Sequence, residues 1–192
     1  RRIYNFNTHF DRYVFLPVVR GYEFITPDVV EDSVSNFFSN IGEIENFINS
    51  VLQLKPEASA TAAWRFAMNT TFGVLGLFDP ATNLMGTPAW NEDFGQTLGR
   101  YGIPTGPYLM LPLLGPSTVR DVWRYPADSA ARPLNYFIPL WATLTIRVAE
   151  NFSTRAYYLE ELREARANAL DYYVFVRDAY LQLREYAVKD GA

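Results

Sequence analysis

An uncharged stretch interrupted by prolines sets the strongest limit on what this chain can fold into. Residues 101–119 carry no charged side chain, and Arg100 and Arg120 bound them. Their number approaches the ~20 apolar residues that cross a bilayer as a helix. Prolines stand at positions 104, 107, 112 and 116, and each lacks an N–H and clashes with the preceding helical turn. The segment is therefore predicted to be non-helical backbone, covered by protein or lining a cavity at membrane depth, or else a buried loop of a soluble core.

Helical periodicity is strong in the N-terminal third of the chain. A helical stripe over 5–24 predicts a helix that breaks or bends at Pro17 and Gly21. Thr26-Pro27-Asp28 predicts the start of the next helix, with a capping hydroxyl before a proline at the first helical position. The three-four spacing of apolar residues over 41–52 predicts a further, separate amphipathic helix.

The same periodicity returns on either side of the central segment. Pro56-Glu57 predicts the start of a helix, with its apolar side formed by Ala60, Ala63, Trp64, Ala67 and Met68. Residues 133–146 are uncharged but too short to span a membrane, so they predict an interfacial or core helix. Residues 150–166 predict a conventional helix, and Asp171 is predicted to cap a last helix that Gly191 ends. The expected fold class is mostly α.

Composition removes several classes of function. With 192 residues, 49% of them hydrophobic, the chain predicts one folded domain over 1–192. A net charge of -4 argues against nucleic acid as a partner. The absence of cysteine excludes disulfides, thiolate zinc sites and iron–sulfur clusters, and a single histidine excludes multi-histidine metal sites. We therefore expect neither a metal nor a cofactor.

No pattern in the sequence favours catalysis. His9 lies in an aromatic helical stripe and is expected to be a helix-face residue with a hydrogen-bonded tip. Ser117 has a glycine two positions before it but a valine two positions after it, so it does not match the pattern of a nucleophile elbow. The paired acids Glu43/Glu45 and Glu160/Glu161 are expected on solvated helical faces. We therefore predict that the protein is not an enzyme.

The remaining bias is toward side chains that have an apolar body and a polar tip. Aromatic residues make up 16% of the chain, and only two of its 17 basic side chains are lysines, Lys55 and Lys189. Aromatic rings and arginines both suit a membrane–water boundary, although a large aromatic core would show the same bias. Two interpretations remain open at this point. The chain either lies in one leaflet of a membrane or is a soluble lipid-binding or scaffold protein that encloses its apolar faces.

Two central runs carry a family resemblance. Residues 93–102, DFGQTLGRYG, and 106–121, GPYLMLPLLGPSTVRD, closely resemble the signature of the MlaA/VacJ family of outer-membrane lipoproteins. Supporting matches occur in order along the chain, at YNFN (4–7), SNFFSN (35–40), GLFD (76–79) and RDAYLQ (177–182). The resemblance therefore covers nearly the whole chain.

The resemblance implies a fold, a place and a function. It implies a ring of amphipathic, membrane-interfacial helices in the inner leaflet of the outer membrane, pierced by an amphipathic channel and held by trimeric porins. Mislocalised phospholipid would pass through this channel from the outer leaflet to the periplasmic carrier MlaC. This transport would maintain the lipid asymmetry of the outer membrane. A signal peptide and a lipid-bearing cysteine are expected upstream of residue 1.

The resemblance and the central run together suggest candidate functional residues. The candidates for the lipid path, which could instead brace the ring, are Tyr108, Leu109, Leu111, Pro112, Leu113 and Leu114. Gly73 and Gly76 are candidate hinges, with tight packing as the alternative. Asn5 and Asn7 either cap the first helix or satisfy polar groups near the channel.

Overall fold

The computed structural model describes residues 1–25, 27–137 and 168–190, and most of these are helical, as predicted. The chain forms two compact units. Unit 1 contains Arg1–Phe24, Pro104–Val122 and the described residues after 138, and unit 2 contains the described parts of Ile25–Ile103 and Trp123–Phe137. The single domain over 1–192 stays a prediction.

Unit 1 begins with a helix that changes its winding before a proline. Helix α1 (Arg2–Phe10) continues into a π-helical stretch at Asp11–Phe15 and then into α2 (Leu16–Ile25). Pro17 cannot donate to the carbonyl four residues earlier, and its ring crowds that carbonyl, so the widened turns lie directly before it. The helix was predicted to break or bend at Pro17 and at Gly21. Both residues lie inside α2, so a break is wrong at either position, and a bend stays a prediction.

A short antiparallel hairpin replaces the helix that the prolines forbid. Strand β1 (Tyr108–Leu111) pairs with β2 (Gly115–Thr118), with Tyr108 opposite Thr118 and Leu111 opposite Gly115. Pro116 is tolerated because a two-stranded hairpin consists of edge strands only. The non-helical structure predicted for this uncharged segment is confirmed.

The C-terminal helix of unit 1 starts as its sequence predicts. Helix α8 (Tyr172–Val188) begins after Asp171, whose Oδ1 accepts hydrogen bonds from the backbone N–H groups of Tyr173 and Val174 at 3.0 and 3.3 Å. The helix predicted over 150–166, the stop at Gly191 and most of the stretch 133–146 lie outside the described residues.

Unit 2 is built on a long helical hairpin. Helix α3 (Asp28–Leu52) packs along α4 (Pro56–Thr71). Because α3 is one continuous helix of 25 residues, the separate helix predicted over 41–52 is wrong. A single interior glycine such as Gly42 costs a helix only about 1 kcal/mol, which packing against α4 offsets. Pro27 takes the N-cap position in an extended conformation rather than the first helical position, and Thr26 lies outside the described residues.

Three short helices complete unit 2. Asp79 caps α5 (Pro80–Asn83), which packs on α4, and Asp93 caps α6 (Phe94–Arg100). Both α6 and α7 (Arg124–Ala131) pack on α3, and a 3-10 turn at Pro133–Tyr136 follows α7. Within residues 1–25, 27–137 and 168–190, no helix combines the length and the apolar character needed to span a membrane.

Candidate functional site

The polarity of unit 2 is inverted relative to an ordinary globular core. Apart from Pro80 and glycines, the buried apolar residues of the described chain are Ala58, Ala62, Met68 and Ala81. The side chains that α3 and its C-cap residue bury are polar, namely Asn40, Glu43, Glu45, Asn49, Ser50 and the C-cap Gln53. Its apolar stripe is exposed, with Phe47, Ile48, Val51 and Leu52 between 36% and 47% accessible. The amphipathic pattern of 41–52 is therefore real, and its apolar side faces outward.

Helix α4, like α3, exposes most of its apolar side and buries polar residues. The predicted apolar side is mostly exposed, at Ala60, Ala63, Trp64 and Ala67, and only Met68 of that set is buried. The face that α4 buries includes Arg65 and Asn69. The helix was predicted correctly, but the prediction did not show that its polar residues fill the interior.

Arg65 is the centre of the first buried polar network. Its side chain is 2% exposed, and Nε donates to Glu43 Oε1 at 2.5 Å while Nη2 donates to Asp79 Oδ2 at 3.0 Å. Nη1 donates to Thr82 Oγ1 and to the carbonyl of Thr87. Burial alone would lower the Arg65 pKa, but the two carboxylates outweigh it and raise that pKa above its usual value. One guanidinium thus joins α3, α4, the cap of α5 and the loop after it.

The buried position of Glu43 and Glu45 corrects the predicted solvated face. Glu43 is 1% exposed against Arg65, and Glu45 accepts a hydrogen bond from Arg132 Nε at 2.6 Å. Both acids lie on the polar face of α3, which points inward. The pair Glu160/Glu161 lies outside the described residues.

A second buried network joins α3, α6 and α7 through Asp128. Its Oδ1 accepts hydrogen bonds from Asn49 Nδ2 at 3.0 Å and from the backbone N–H of Phe94 at 3.1 Å. Burial, and next the negative charge of Glu45, raise the pKa of Asp128 to about 7. Among the described residues no basic side chain lies within ion-pair distance of Asp128, so its charged form is poorly compensated.

This environment predicts a pH-dependent stability. The pKa of Asp128 is about 7 in the folded state against an ordinary 3.8, so between these values the folded protein binds more protons than the unfolded one. The contribution of Asp128 is therefore fully present at low pH and is lost as pH rises toward 7, by up to about 1.4 kcal/mol per pH unit. We expect Asp128→Asn to stabilise the protein at pH 8 and to do so much less at pH 5, where only part of this contribution has been lost.

Thermal unfolding in detergent micelles between pH 5 and 8 checks this expectation. Asp32→Asn is the matched control, because Asp32 is exposed on α3 and its replacement should leave the pH profile unchanged. Profiles of Asp128→Asn and the unmodified protein that stay parallel from pH 5 to 8 would contradict the prediction.

In unit 1, Asn7 fastens the hairpin to α1. Asn7 is 3% exposed, and its Nδ2 donates to the carbonyl of Leu111 while its Oδ1 accepts from the N–H of Leu113, both at 2.9 Å. Asn7 thus satisfies polar groups of the hairpin turn. Neither Asn5 nor Asn7 caps α1, whose N-cap is Arg1. Asn5 is exposed, and its carbonyl accepts a 2.7 Å hydrogen bond from His9 Nδ1, which confirms the hydrogen-bonded tip predicted for His9.

The hairpin brings the lipid-path candidates together. Pro112 is exposed, and the others are half-buried, namely Tyr108, Leu109, Leu111, Leu113 and Leu114. The hydroxyl of Tyr108 is buried and has no hydrogen-bond partner in the described part of the chain. Burial, and next the neighbouring Tyr173, raise the Tyr108 pKa to about 12. The role of these residues in a lipid path stays a prediction.

A charged cluster behind the hairpin was not among the candidates from the sequence. Asp121 is fully buried and accepts hydrogen bonds from Arg120 Nε at 3.0 Å, Arg184 Nε at 3.1 Å and the Tyr180 hydroxyl at 2.9 Å. Burial would raise the Asp121 pKa, but Arg184 and Arg120 outweigh it and lower that pKa. The sequence did contain a signal for this cluster. Arg120 and Asp121 directly follow the uncharged run 101–119, and charged side chains next to a buried apolar segment need partners of opposite charge.

The candidate hinges lie where no side chain fits. A Cβ at Gly73 would clash with the carbonyl oxygens of Phe78 and Asn69. Gly76 has a φ of +91°, and its Cβ would lie 2.6 Å from Asn40 Nδ2. Close packing therefore requires glycine at both positions, and their role as hinges stays a prediction.

Comparison with known proteins covers both units. The family model of the MlaA lipoprotein matches residues 1–187. The intermembrane phospholipid transport system lipoprotein MlaA of Escherichia coli K12 is 32% identical over 200 residues, covering 100% of this chain and 76% of the relative. The protein of that name from Haemophilus influenzae is 30% identical, covering 98% of this chain and 75% of the relative.

A solved structure extends the likeness to the backbone. It comes from work on the structural basis for maintenance of bacterial outer membrane lipid asymmetry, and it matches with a TM-score of 0.86 and 32% identity, over 98% of this chain and 95% of that one. The family match, the shared sequence and the shared backbone all extend over nearly the whole chain, which therefore belongs to the MlaA lipoprotein family.

Proposed function

We propose that this chain is the outer-membrane component of a phospholipid transport system. In this role it removes mislocalised phospholipid from the outer leaflet and passes it to the periplasmic carrier MlaC. This removal maintains the lipid asymmetry of the outer membrane. The family match carries the proposal, since the relatives bear the name of an intermembrane phospholipid transport lipoprotein. That name describes a component of lipid transport and not an enzyme.

The inverted polarity of unit 2 supports insertion into one leaflet. An exposed apolar stripe on α3 and a polar interior against α4 suit a helix that lies in the membrane interface. The rival, a soluble lipid-binding or scaffold protein, would be expected to enclose such a stripe. We propose that the helices form a ring in the inner leaflet, facing the periplasm, and that trimeric porins hold this ring in place.

The hairpin in unit 1 is the proposed wall of the channel. Its strands and turn carry no charge, and Asn7 satisfies backbone polar groups at the turn. Such a wall lets acyl chains pass apolar side chains while the headgroup follows a polar groove. The sequence has no nucleotide-binding motif, so the energy for transport would come from the carrier and the inner-membrane machinery.

Leu113→Asp tests this path. Leu113 adopts a left-handed conformation, with φ of 63°, which aspartate and asparagine tolerate better than leucine, so the backbone should be preserved. If an unpaired carboxylate adds about 3 kcal/mol to the passage of an acyl chain, transport slows roughly 100-fold. Phospholipid should then accumulate in the outer leaflet of cells whose only copy is the variant, and detergent sensitivity should rise.

Leu113→Asn is the matched control, because it adds polarity at the same backbone position without a charge. The amount of each variant in the outer membrane is measured by immunoblot alongside the surface phospholipid. Normal asymmetry with a stably inserted Leu113→Asp protein would show that this wall does not border the path. Loss of the protein itself would instead assign Leu113 a purely structural role, in which it braces the ring.

A further inference from the structure

An open cleft lies in unit 1 between the start of α1 and the start of α8. Its volume is about 470 Å³, which is in the range of sites for small organic ligands. Its lining includes one positive charge, Arg1, one negative charge, Asp171, and three aromatic rings, those of Tyr4, Tyr172 and Tyr173. We call this site the tyrosine cleft.

The carboxylate of Asp171 has two separate tasks. Its Oδ1 caps α8, whereas its Oδ2 accepts a hydrogen bond from Arg1 Nη2. The hydrogen bond from the backbone N–H of Val174 lowers the pKa of Asp171 most, and Arg1 adds to this effect. The carboxylate is therefore charged at neutral pH, and one of its oxygens holds a cation at the cleft while the other fixes the helix.

The position of Arg1 shows that the tyrosine cleft accepts a cation. Arg1 Cζ lies over the Tyr173 ring, 5.4 Å from its centroid, while the same guanidinium pairs with Asp171. An aromatic face and a carboxylate are the two groups that bind ammonium ligands. The side chains of Arg1 and Asp171 are 68% and 38% exposed, and an exposed ion pair contributes little to stability. A ligand cation can therefore replace the guanidinium at small cost.

The rings of the tyrosine cleft fix one another and connect it to the hairpin. Tyr4 packs against Tyr172 and Tyr173, with ring centroids 6.5 and 5.5 Å apart. Tyr173 also packs edge-on against Tyr108, 6.1 Å away, and Tyr108 is the first residue of β1. The cleft is thus preorganised, and it adjoins the hairpin that we propose as the channel wall.

We propose that the tyrosine cleft binds the headgroup of a zwitterionic phospholipid, in which a phosphodiester is joined to an ammonium-bearing alcohol. The ammonium takes the place of the guanidinium between Tyr173 and Asp171, and the released Arg1 pairs with the phosphodiester. A headgroup with only a negative charge would meet Asp171 without compensation, so the cleft favours zwitterionic over anionic lipid. This inference rests on the proposed transport of phospholipid and adds a headgroup preference to it.

Saturation-transfer NMR with deacylated headgroups tests the cleft without acyl chains. The probes are glycerophosphoethanolamine and glycerophosphoglycerol at millimolar concentration, added to the full chain in detergent micelles. We expect saturation transfer to the ethanolamine methylene groups, and a severalfold lower dissociation constant for glycerophosphoethanolamine than for glycerophosphoglycerol. Equal binding of the two probes, or no transfer to either, would overturn the proposal.

Asp171→Asn removes the charge but keeps a residue that caps helices equally well, so α8 should stay folded. We expect binding of glycerophosphoethanolamine to weaken severalfold and binding of glycerophosphoglycerol to stay the same or improve. Glu185→Gln is the matched control, because it removes an exposed carboxylate from the other end of α8. Equal losses for both probes in Asp171→Asn would reveal damage to α8 rather than loss of a cation site, and would contradict the proposal.

Arg1→Gln tests the contact with the phosphodiester. The unmodified protein should bind glycerophosphoethanolamine severalfold more tightly than ethanolamine alone, and this advantage should disappear in Arg1→Gln. It should persist in Arg2→Gln, which removes the exposed arginine at the next position. An undiminished advantage in Arg1→Gln would show that Arg1 does not bind the phosphodiester.

A photo-crosslinker shows whether membrane lipid fills the cleft. The protein carries p-benzoylphenylalanine in place of Tyr172 and is reconstituted in nanodiscs with equal amounts of phosphatidylethanolamine and phosphatidylglycerol. The control carries it in place of Tyr186, a 60% exposed tyrosine later in α8. We expect a severalfold excess of captured phosphatidylethanolamine at position 172 and none at position 186. Equal ratios at both positions would refute a lipid occupant.

The cleft and the proposed function fail separately. If the headgroup probes do not bind but Leu113→Asp cells lose lipid asymmetry, only the cleft is removed. If the probes bind as expected and Leu113→Asp cells keep normal asymmetry, only the proposed lipid path is removed.

Discussion

Replacing Arg65 with alanine is expected to unfold much of unit 2. The variant leaves Glu43, which is 1% exposed, and Asp79 without the guanidinium that they share. Removing one partner of a buried ion pair costs about 3–5 kcal/mol, because the remaining charge is buried without compensation. We expect little folded protein in detergent extracts, and a large fall in the unfolding temperature of what remains.

Two further variants show whether geometry or charge is responsible. Arg65→Lys keeps the charge but cannot donate along the same fork to both carboxylates and to Thr82, so an intermediate loss is expected. Arg20→Ala removes an exposed arginine from α2 and should change the unfolding temperature little. An Arg65→Ala protein that unfolds at the temperature of Arg20→Ala would show that the network does not stabilise unit 2.

Asp121→Ala is expected to have an effect of similar size in unit 1. The change removes the carboxylate that accepts from Arg120, Arg184 and Tyr180. Both guanidinium groups stay buried without it, and the expected loss is again about 3–5 kcal/mol. Because the Asp121 pKa is lowered in the folded state, its stabilising contribution is present at neutral pH and is lost as pH falls below the ordinary range of an aspartate.

Helix α8, which carries Arg184, provides a control for Asp121→Ala. Asp178 on α8 pairs with Arg177, and its side chain is 47% exposed. An exposed pair of this kind contributes little, so Asp178→Ala should resemble the unmodified protein in thermal unfolding and in limited proteolysis of α8. Equal protease resistance of Asp121→Ala and Asp178→Ala would contradict the role of the buried cluster.

Local signals in the sequence predicted much of the secondary structure. Pro56 begins α4 and Asp171 caps α8, because these residues act on the backbone groups nearest to them. The prolines of 101–119 predicted non-helical structure for the same reason. The break expected before residue 41 was wrong, because the contact of α3 with α4 overrides the weak local preference of Gly42.

The side of a helix that is buried could not be predicted in the same way. The spacing of Ile41, Ile44 and Ile48 shows that α3 has an apolar side and a polar side, but such a pattern is equally compatible with either side facing the interior. The choice depends on what surrounds the protein. Glu43 and Glu45 were therefore placed on a solvated face, whereas they pair with arginines inside.

The candidate site depends on contacts between residues that are distant in sequence. The lipid-path candidates in the hairpin follow from the family resemblance together with the uncharged, proline-rich run. The two hydrogen bonds of Asn7 to the turn, however, join residues more than a hundred positions apart, and no spacing rule connects them. The bond from Arg184 to Asp121, which joins residues 63 positions apart, was missed for the same reason.

The π-helical stretch at Asp11–Phe15 makes residue number in the first helix critical. A π-helical stretch contains one more residue than the α-helical segment that it replaces. Each residue of an α-helix turns the chain by about 100°. Deleting one residue between Asn7 and Pro17 would let the helix wind regularly, and it would turn Asn7 by that angle relative to α2. The amide would then face away from the turn at Leu111 and Leu113. Length variation within this helix should therefore be much less tolerated than in the loop between α5 and α6.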